Sequence, residues 1–245
     1  MKYSPYSFTK MERFYICPFK FKLTYIDKLK PVKKFSVALI KGDMVHSIIE
    51  HIIKNKIKEY KKPPCSGEFT EDMRKKIFQS VFLFCRSILF KSYLDLEGNK
   101  FSEVKFFLDK NLNIGKTKRN ALFTGKIDYV CINENKATVV DWKTGGKSIS
   151  MVDRFPKDVE QLKIYSIWLF EKYKQVEEIC ADFCYIDLEY KQSYTFTRNE
   201  LQDLKNELID KIQTIERCDD FCMKKSKLCS YCDFEELCNS NMKNM

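Results

Sequence analysis

Apolar side chains recur along this chain with two periods, one helical and one typical of β-strands. Between residues 37 and 60 they fall every three or four positions, as expected for a helix with one buried face. The same spacing returns in three later segments and predicts helices over residues 71–93, 158–173 and 199–217.

Five shorter segments have the alternation or the β-branched composition of strands. They cover residues 102–108, 122–132, 137–141, 179–188 and 193–197. Turn residues 133–135 connect the second segment to the third, so these two strands are expected to pair as a hairpin. Helices on both sides of such a mixed sheet predict an α/β fold.

The length and composition are those of one folded domain. The chain has 245 residues, 44% of them hydrophobic, with only 7 glycines and 6 prolines. We expect a single domain over residues 1–245, with a helical lobe at 1–95, a sheet-containing core at 96–200, and a helix with a cysteine-rich tail at 201–245. The absence of a long apolar run and of an N-terminal signal peptide predicts a cytoplasmic protein without a membrane partner.

The chain is also basic. It has 44 lysines and arginines against 34 aspartates and glutamates, a formal net charge of +10. Such a balance favours polyanionic partners, because each neutralised phosphate releases counterions. A surface of solvated lysines would give the same charge, so the motifs must decide between the two interpretations.

An aspartate and a lysine end the third predicted strand, in the segment TVVDWKTGG at residues 138–146. Because side chains alternate along a strand, Asp141 and Lys143 share one face and Trp142 lies on the other. In the predicted hairpin, Asp128 lies beside Asp141. Two buried carboxylates repel each other unless a cation lies between them, and oxygen ligands of this kind suit Mg²⁺ or Mn²⁺. A lysine on the same face can orient or deprotonate a water, so the group fits metal-assisted phosphodiester hydrolysis.

Each of these residues also has a simpler interpretation. Asp141 and Lys143 could be an exposed ion pair at the end of a strand. His46, on the helix face that carries Ile49, could be a packed histidine, and Glu103 could be a solvated strand residue. The hairpin spacing between the two aspartates favours a functional site.

Cysteine spacing near the C-terminus is typical of a metal or cluster site. Of the 11 cysteines, Cys229, Cys232 and Cys238 form C-x2-C-x5-C, and such thiolates bind Zn²⁺ or an iron–sulfur cluster. Cys17 can supply a fourth ligand if the ends of the chain meet, and Cys222 can supply it in a local zinc site. A tail of free thiols is the remaining alternative. The cysteines at 85, 131, 180 and 184 lie in apolar segments and are expected to be buried.

Taken in order, these segments resemble the PD-(D/E)xK nuclease superfamily, and in particular its RecB-like branch. The resemblance rests on Gly125-Lys126-Ile127-Asp128, on Val140-Asp141-Trp142-Lys143-Thr144-Gly145, and on the Q-x-x-x-Y segment from Gln161 to Tyr165. It spans most of the chain, from Cys17 to Cys238. An isoleucine stands where the name of the superfamily has proline, and the second acid is Asp rather than Glu, but both carboxylates are present.

The resemblance implies a restriction-endonuclease-like fold and a set of site residues. The implied ligands of Mg²⁺ or Mn²⁺ are His46, Asp128, Asp141, the backbone carbonyl of Trp142 and, as a further candidate, Glu103. The implied catalytic residues are Asp128, Asp141, Lys143, which orients or activates water, and Gln161 and Tyr165, which position the scissile strand.

The resemblance extends to the cysteines. In the iron–sulfur subset of RecB-like nucleases, which includes AddB-type nuclease domains and CRISPR-associated RecB-like exonucleases, one cysteine precedes the nuclease core and C-x2-C-x5-C follows it. This implies a [4Fe–4S] cluster, a C-terminal staple that joins the chain ends through Cys17, Cys229, Cys232 and Cys238.

The implied function is a metal-dependent exonuclease that acts on single-stranded DNA ends, 5′ to 3′, in DNA repair, recombination or CRISPR spacer acquisition. Its partners would be DNA and the proteins of a repair or CRISPR adaptation complex. Two other classes stay open. One is a non-catalytic or weakly catalytic subunit that binds DNA ends within a larger complex, and the other is a zinc-stabilised interaction protein.

Overall fold

The computed structural model describes residues 1–30, 37–55, 71–145 and 159–238, and these contain seven α-helices and five β-strands. The helices are α1 (Phe8–Ile16), α2 (Pro18–Phe21), α3 (Val37–Asn55), α4 (Glu71–Arg86), α5 (Ile88–Leu94), α6 (Glu160–Lys172) and α7 (Leu201–Glu216). The strands are β1 (Asn99–Leu108), β2 (Phe123–Asn133), β3 (Lys136–Lys143), β4 (Glu178–Tyr185) and β5 (Tyr190–Thr197).

The five strands form one sheet in the order β1-β2-β3-β4-β5. β2 and β3 are antiparallel with Tyr129 opposite Val140, which is the predicted hairpin. β3 and β4 are parallel, and α6 lies in the crossover that a parallel connection requires. β4 and β5 are antiparallel. The sheet is therefore mixed, and the predicted α/β class with helices flanking a mixed sheet is confirmed.

Contacts between residues divide the chain into two compact units, each built from separated segments. The terminal unit contains Met1–Phe35, Phe107–Thr124 and Lys205–Met245, and the sheet unit contains Ser36–Phe106 and Gly125–Leu204. The expected single domain, with consecutive sections at 1–95, 96–200 and 201–245, stays a prediction.

The core of the sheet unit surrounds Trp142 on one face of β3. Four rings have their centroids 5.5–6.2 Å from that of the indole, those of Phe84, Phe90, Tyr93 and Tyr129. The apolar stripe of α3 joins the same core through Val45, Ile48, Ile49 and Ile52. Burial of each side chain of this size contributes about 1.5–3 kcal/mol. The packed face fixes the register of β3 and directs Asp141 and Lys143 to the opposite face.

The core of the terminal unit is aromatic and brings the chain ends together. Its rings include the mutually packed side chains of Tyr3, Phe14, Phe21 and Phe221. The fully buried Tyr6 donates a hydrogen bond from its hydroxyl to Glu216 Oε1 at 2.8 Å. N-terminal and C-terminal segments therefore share one core in this unit.

One predicted helix is two helices in the structure. The spacing over residues 71–93 predicts a single helix, but α4 ends at Arg86 and α5 begins at Ile88. Ser87 between them has an extended backbone, with φ −65° and ψ 156°, and its hydroxyl accepts a hydrogen bond from the Phe90 N–H. Serine competes for backbone hydrogen bonds and therefore caps a new helix here without disturbing the apolar period.

The strand predicted over residues 179–188 is also too long. β4 ends at Tyr185, and Ile186–Leu188 form a 3₁₀ turn. Glu189 then takes a left-handed conformation, with φ 48°, that leads into β5. The other predicted ends within the described residues agree with the structure or differ by at most three residues. Residues 56–60 of the first predicted helix, and residue 158 of the third, lie outside the described residues.

None of the described helices is by itself both long enough and apolar enough to cross a bilayer. One bent pair, Ile77–Arg86 with Ile88–Leu94, meets the length and composition criteria together, with a bend of 63° between the two helices.

Gly98 precedes β1 at a point that only glycine fits. Its φ is +120°, and a Cβ there would lie 2.2 Å from the carbonyl oxygen of Ile132. Gly145 has a similar φ of +129°, but a Cβ there would meet no described atom within 4 Å. We expect Gly98→Ala to lower the free energy of unfolding by about 3 kcal/mol or more, and Gly145→Ala by about 1–2 kcal/mol. Denaturant unfolding measures both, and equal losses would contradict the close approach of Gly98 to β2.

Candidate active site

The hairpin register brings two aspartates together in the sheet unit. With Tyr129 opposite Val140, the next positions along the two strands are Asp128 on β2 and Asp141 on β3. Asp128 is 6% exposed and Asp141 is 3% exposed. The predicted pair of carboxylates is therefore present, in a place where little water can screen one charge from the other.

Asp128 is oriented by two donors from different elements. Its Oδ2 accepts a hydrogen bond from the backbone N–H of Trp142 at 2.9 Å, which links β2 to β3. Its Oδ1 lies 3.2 Å from Nδ1 of His46, which links the sheet to α3. The carboxylate is therefore fixed in direction.

Glu103 completes a compact group of metal-ligand types. Ligand atoms of His46, Glu103 and Asp128 all lie within 4.8 Å of one another. Glu103 Oε1 is 3.8 Å from His46 Nδ1. Glu103 has a φ of 54°, a left-handed residue inside β1, and such irregularities in a strand re-aim side chains. The group combines one imidazole with two carboxylates, which suits a divalent cation.

Lys143 is held on the same face as Asp141, as the strand alternation predicts. Its Nζ lies 2.6 Å from Asp141 Oδ2 and donates a hydrogen bond to Gln161 Oε1 at 2.9 Å. The ammonium also lies 5.0 Å from the ring centroid of Phe183. A cation with partners from β3, β4 and α6 has little freedom to turn away.

The Q-x-x-x-Y segment fastens α6 to the hairpin. Gln161 Nε2 donates a hydrogen bond to the hydroxyl oxygen of Tyr165 at 2.7 Å. The Tyr165 hydroxyl lies 2.9 Å from the carbonyl oxygen of Lys126 and 3.2 Å from Asp141 Oδ1. Residues four apart on a helix share a face, so one face of α6 contacts both β2 and β3.

Burial and charge shift the pKa values of these groups in linked ways. Burial raises the pKa of Asp128, and the Asp141 carboxylate adds to this effect. Burial lowers the pKa of His46, but hydrogen bonding to Asp128 and Glu103 outweighs burial and raises that pKa to about 10. Burial raises the pKa of Glu103, but hydrogen bonds from His46 and Lys126 outweigh burial and lower it. The metal-free group therefore holds a proton on His46 at neutral pH.

Comparison with known proteins places this geometry in a family. The model of the PD-(D/E)XK nuclease superfamily matches residues 5–239, almost the whole chain. The chain belongs to the PD-(D/E)XK nuclease superfamily. No protein of curated function matches it in sequence.

Two solved structures are similar to this PD-(D/E)XK chain. The crystal structure of a protein named Putative exonuclease, from Eubacterium rectale, is 15% identical over 92% of this chain and 91% of that one, with a TM-score of 0.52. At this identity the likeness shows the fold alone. A structure named SSO0001 is 16% identical over 91% of this chain and 94% of that one, with a TM-score of 0.35.

The structure brings most of the predicted site residues of this PD-(D/E)XK chain into one place. Contacts within the sheet unit join His46, Glu103, Asp128, Asp141, Lys143, Gln161 and Tyr165. The backbone of Trp142 is adjacent, because its N–H bonds to Asp128, but metal binding by its carbonyl stays a prediction. His51, expected on the surface, is exposed.

Sequence reasoning missed Lys126. Its ammonium forms an ion pair with Glu103, and its backbone carbonyl contacts Tyr165. Lys126 stands two residues before Asp128, on the same face of β2, so strand alternation was a signal that could have found it. A single lysine in a basic chain carries little information on its own.

The cysteines of the predicted cluster lie in the terminal unit. Cys17, Cys229, Cys232 and Cys238 line one cavity of about 430 Å³. Burial raises the pKa of the Cys238 thiol, and the thiols of the other three add to the effect. Cys222 does not line the cavity; it is exposed, with its Sγ 2.9 Å from Asp220 Oδ2.

The remaining cysteines follow their expected burial only in part. Cys131 and Cys184 are buried, whereas Cys85 and Cys180 are half-buried. Cys85 and Cys180 therefore keep some contact with solvent, although burial raises their pKa values.

Metal binding at the His46 group should release a proton. A metal binds the neutral imidazole, whereas metal-free His46 has a pKa of about 10. We expect about one proton to be released per Mn²⁺ near pH 7, and the apparent affinity to rise as the pH increases toward 10. Calorimetric titration in buffers of different ionisation enthalpy measures the proton count. His46→Ala should abolish this release and His51→Ala, on the same helix, should keep it; release that survives His46→Ala would contradict the assignment.

Proposed function

We propose that this PD-(D/E)XK protein is a metal-dependent deoxyribonuclease that hydrolyses DNA phosphodiesters. The observation that carries the proposal is the group of His46, Glu103 and Asp128, whose ligand atoms lie within 4.8 Å of one another. Asp141 and Lys143 adjoin this group on the next strand. A structural ion pair would not need an imidazole and two carboxylates around one point, with a third carboxylate, that of Asp141, on the adjacent strand.

The donor set fits Mg²⁺ or Mn²⁺. Oxygen donors come from Asp128, Asp141 and Glu103, with the carbonyl of Trp142 as a further ligand, and one nitrogen donor comes from His46. When bound, the ion would stabilise the negative charge that develops on the phosphate and lower the pKa of a water. Without it, the buried pair of aspartates relies on protein donors alone for compensation.

The protein side chains have separable roles in this proposal. Lys143 orients the attacking water or stabilises charge on the phosphate, because its ammonium lies beside Asp141 at the end of β3. Gln161 holds the ammonium from the side of α6, and Tyr165 holds the Asp141 carboxylate. Both α6 residues would also position the scissile strand, as the family resemblance implies.

We infer that the substrate is DNA with single-stranded ends, degraded 5′ to 3′ by exonuclease action. The net charge of +10 supports a polyanionic substrate. The similar fold of the Eubacterium rectale protein, whose name contains "exonuclease", supports exonuclease action but carries no information on polarity. Partners would be proteins of DNA repair, recombination or CRISPR adaptation.

We also propose a [4Fe–4S] cluster at Cys17, Cys229, Cys232 and Cys238. All four cysteines line one cavity of the terminal unit, and thiolates with their sequence spacing bind an iron–sulfur cluster or Zn²⁺. Lys20, Lys224 and Lys225 line the same cavity and would offset the negative charge of a thiolate-bound cluster. Bound there, the cluster would tie distant parts of the chain together.

Substitutions in the site test the nuclease proposal. Asp141→Asn and Lys143→Ala should each reduce the rate of cleavage of single-stranded DNA by 10²-fold or more in Mn²⁺. Lys136→Ala is the matched control, since Lys136 lies on the same strand but is exposed and pairs with Glu178. End-labelled oligonucleotides report rate and polarity.

Three outcomes of that assay are informative. Equal rates in all variants would place the active site elsewhere. A wild-type protein that binds DNA ends but cleaves none would support the non-catalytic DNA-binding alternative. Cleavage that survives removal of all divalent cations by a chelator would contradict a metal-dependent reaction.

Metal content tests the cluster. Anaerobically purified protein should be brown and contain about four irons per chain. Cys17→Ser and Cys232→Ser should lose most of the iron, whereas Cys222→Ser, which lies outside the cavity, should keep it. A colourless protein with one zinc per chain, sensitive to Cys222→Ser rather than Cys17→Ser, would instead support the local zinc site.

A further inference from the structure

Lys126 on β2 is a second cation beside the candidate metal group. Its ammonium forms an ion pair with Oε2 of Glu103, which lies on the neighbouring strand β1. The other carboxylate oxygen of Glu103, Oε1, faces His46. One carboxylate therefore separates the ammonium of Lys126 from the point where His46, Glu103 and Asp128 converge.

Lys126 is held much less firmly than Lys143. The side chain of Lys143 is 21% exposed and has partners on three elements. That of Lys126 is 47% exposed, and within the described residues its ammonium pairs with Glu103 alone. A lysine ammonium on a flexible four-carbon stem can move by several ångströms once its partner is taken away.

A divalent ion would take that partner away. If the ion binds Glu103, Asp128 and Asp141, its two charges and the charge of Lys143 balance the three carboxylates. The charge of Lys126 is then in excess, at the solvent-facing edge of the site. A phosphodiester carries one negative charge, which is the charge that this arrangement lacks.

We propose that Lys126 is a phosphate-binding catalytic residue, and that its ion pair with Glu103 keeps it from binding phosphate until a divalent ion is bound. In the metal-free protein, Lys126 neutralises Glu103. With an ion held by Glu103, the Lys126 ammonium would be free to move and to pair with a phosphate oxygen of the DNA strand. This inference rests on the proposed nuclease function and adds a coupling between metal binding and substrate binding.

A purely structural ion pair between β1 and β2 leads to different expectations. Removal of a structural lysine would loosen Glu103 and weaken metal binding, or leave it unchanged. Removal of a lysine that competes with the metal for Glu103 would strengthen metal binding. Because removal of the ammonium also removes its repulsion of the ion, a gain in metal affinity supports the proposal only together with a lost phosphate contact in DNA binding.

The experiment compares Lys126→Ala and Lys126→Gln with Lys136→Ala. The control also removes a lysine that pairs with a glutamate on the adjacent strand. Lys136 on β3 lies 2.8 Å from Glu178 on β4, and both side chains are largely exposed. Calorimetric titration with Mn²⁺, without DNA, should show affinity increased on the order of threefold to tenfold in both Lys126 variants. The control should match wild type. Unchanged or weaker Mn²⁺ binding in a folded Lys126 variant would overturn the proposal.

DNA binding gives the second readout. In a Lys143→Ala background with Mn²⁺ present, cleavage is slowed and binding of single-stranded DNA can be measured at several salt concentrations. Loss of one phosphate contact should reduce the slope of log K against log salt by about 0.7 for Lys126→Ala. Lys126→Arg should keep the slope, because it keeps the charge. An unchanged slope in Lys126→Ala would overturn the phosphate contact.

These readouts do not depend on turnover. If the proposed nuclease function fails, the wild-type protein will not cleave DNA at all. If only the role of Lys126 fails, the wild type will cleave while Lys126→Ala shows wild-type metal affinity and salt dependence. The two failures are therefore distinguishable.

Discussion

Two carboxylates at adjacent positions of a buried hairpin impose the main electrostatic constraint on the sheet unit. Asp128 and Asp141 are almost fully buried, and burial together with the nearby Asp141 carboxylate raises the pKa of Asp128. Compensation comes from the N–H of Trp142, from His46 on α3, and from Lys143 on β3. The contact of His46 with Asp128 requires α3 to lie against the sheet, and the contact of Trp142 with Asp128 requires the observed pairing of β3 with β2. The positions of α3 and β3 are therefore set by charge compensation as well as by packing.

The strand β3 satisfies packing and chemistry together through simple alternation. Trp142 faces four aromatic rings, and its neighbours in sequence, Asp141 and Lys143, face the candidate site. A shift of register by one residue would move the lysine into the ring cluster and the indole into the site. Packing of the aromatic core on Trp142 therefore stabilises the register that places Asp141 and Lys143 in the candidate site, although none of the core rings is a candidate catalytic residue.

The parts of the site that could be predicted are those that depend on short-range periodicity. The side-by-side aspartates followed from a hairpin, and the shared face of Gln161 and Tyr165 followed from helical spacing. The break at Ser87 and the approach of Lys126 to Glu103 could not be found in this way. The Ser87 cap replaces one hydrogen bond by another and leaves the apolar pattern unchanged, so periodicity does not reveal it. The contact of Lys126 with Glu103 depends on the register between β1 and β2, and these strands are not joined by a short turn that would define it.

The two candidate centres differ in ligand chemistry and lie in different units. The sheet unit offers carboxylates and one imidazole, which suit a hard cation that must exchange water and phosphate. The terminal unit offers four thiols in a cavity with lysines, which suit a soft, permanently bound group. Tyr6, Glu216 and the aromatic cluster already join the chain ends there. A group bound by the cysteines would therefore reinforce an existing core, and its loss should be felt first as reduced stability of that unit rather than as altered chemistry at Asp128 and Asp141.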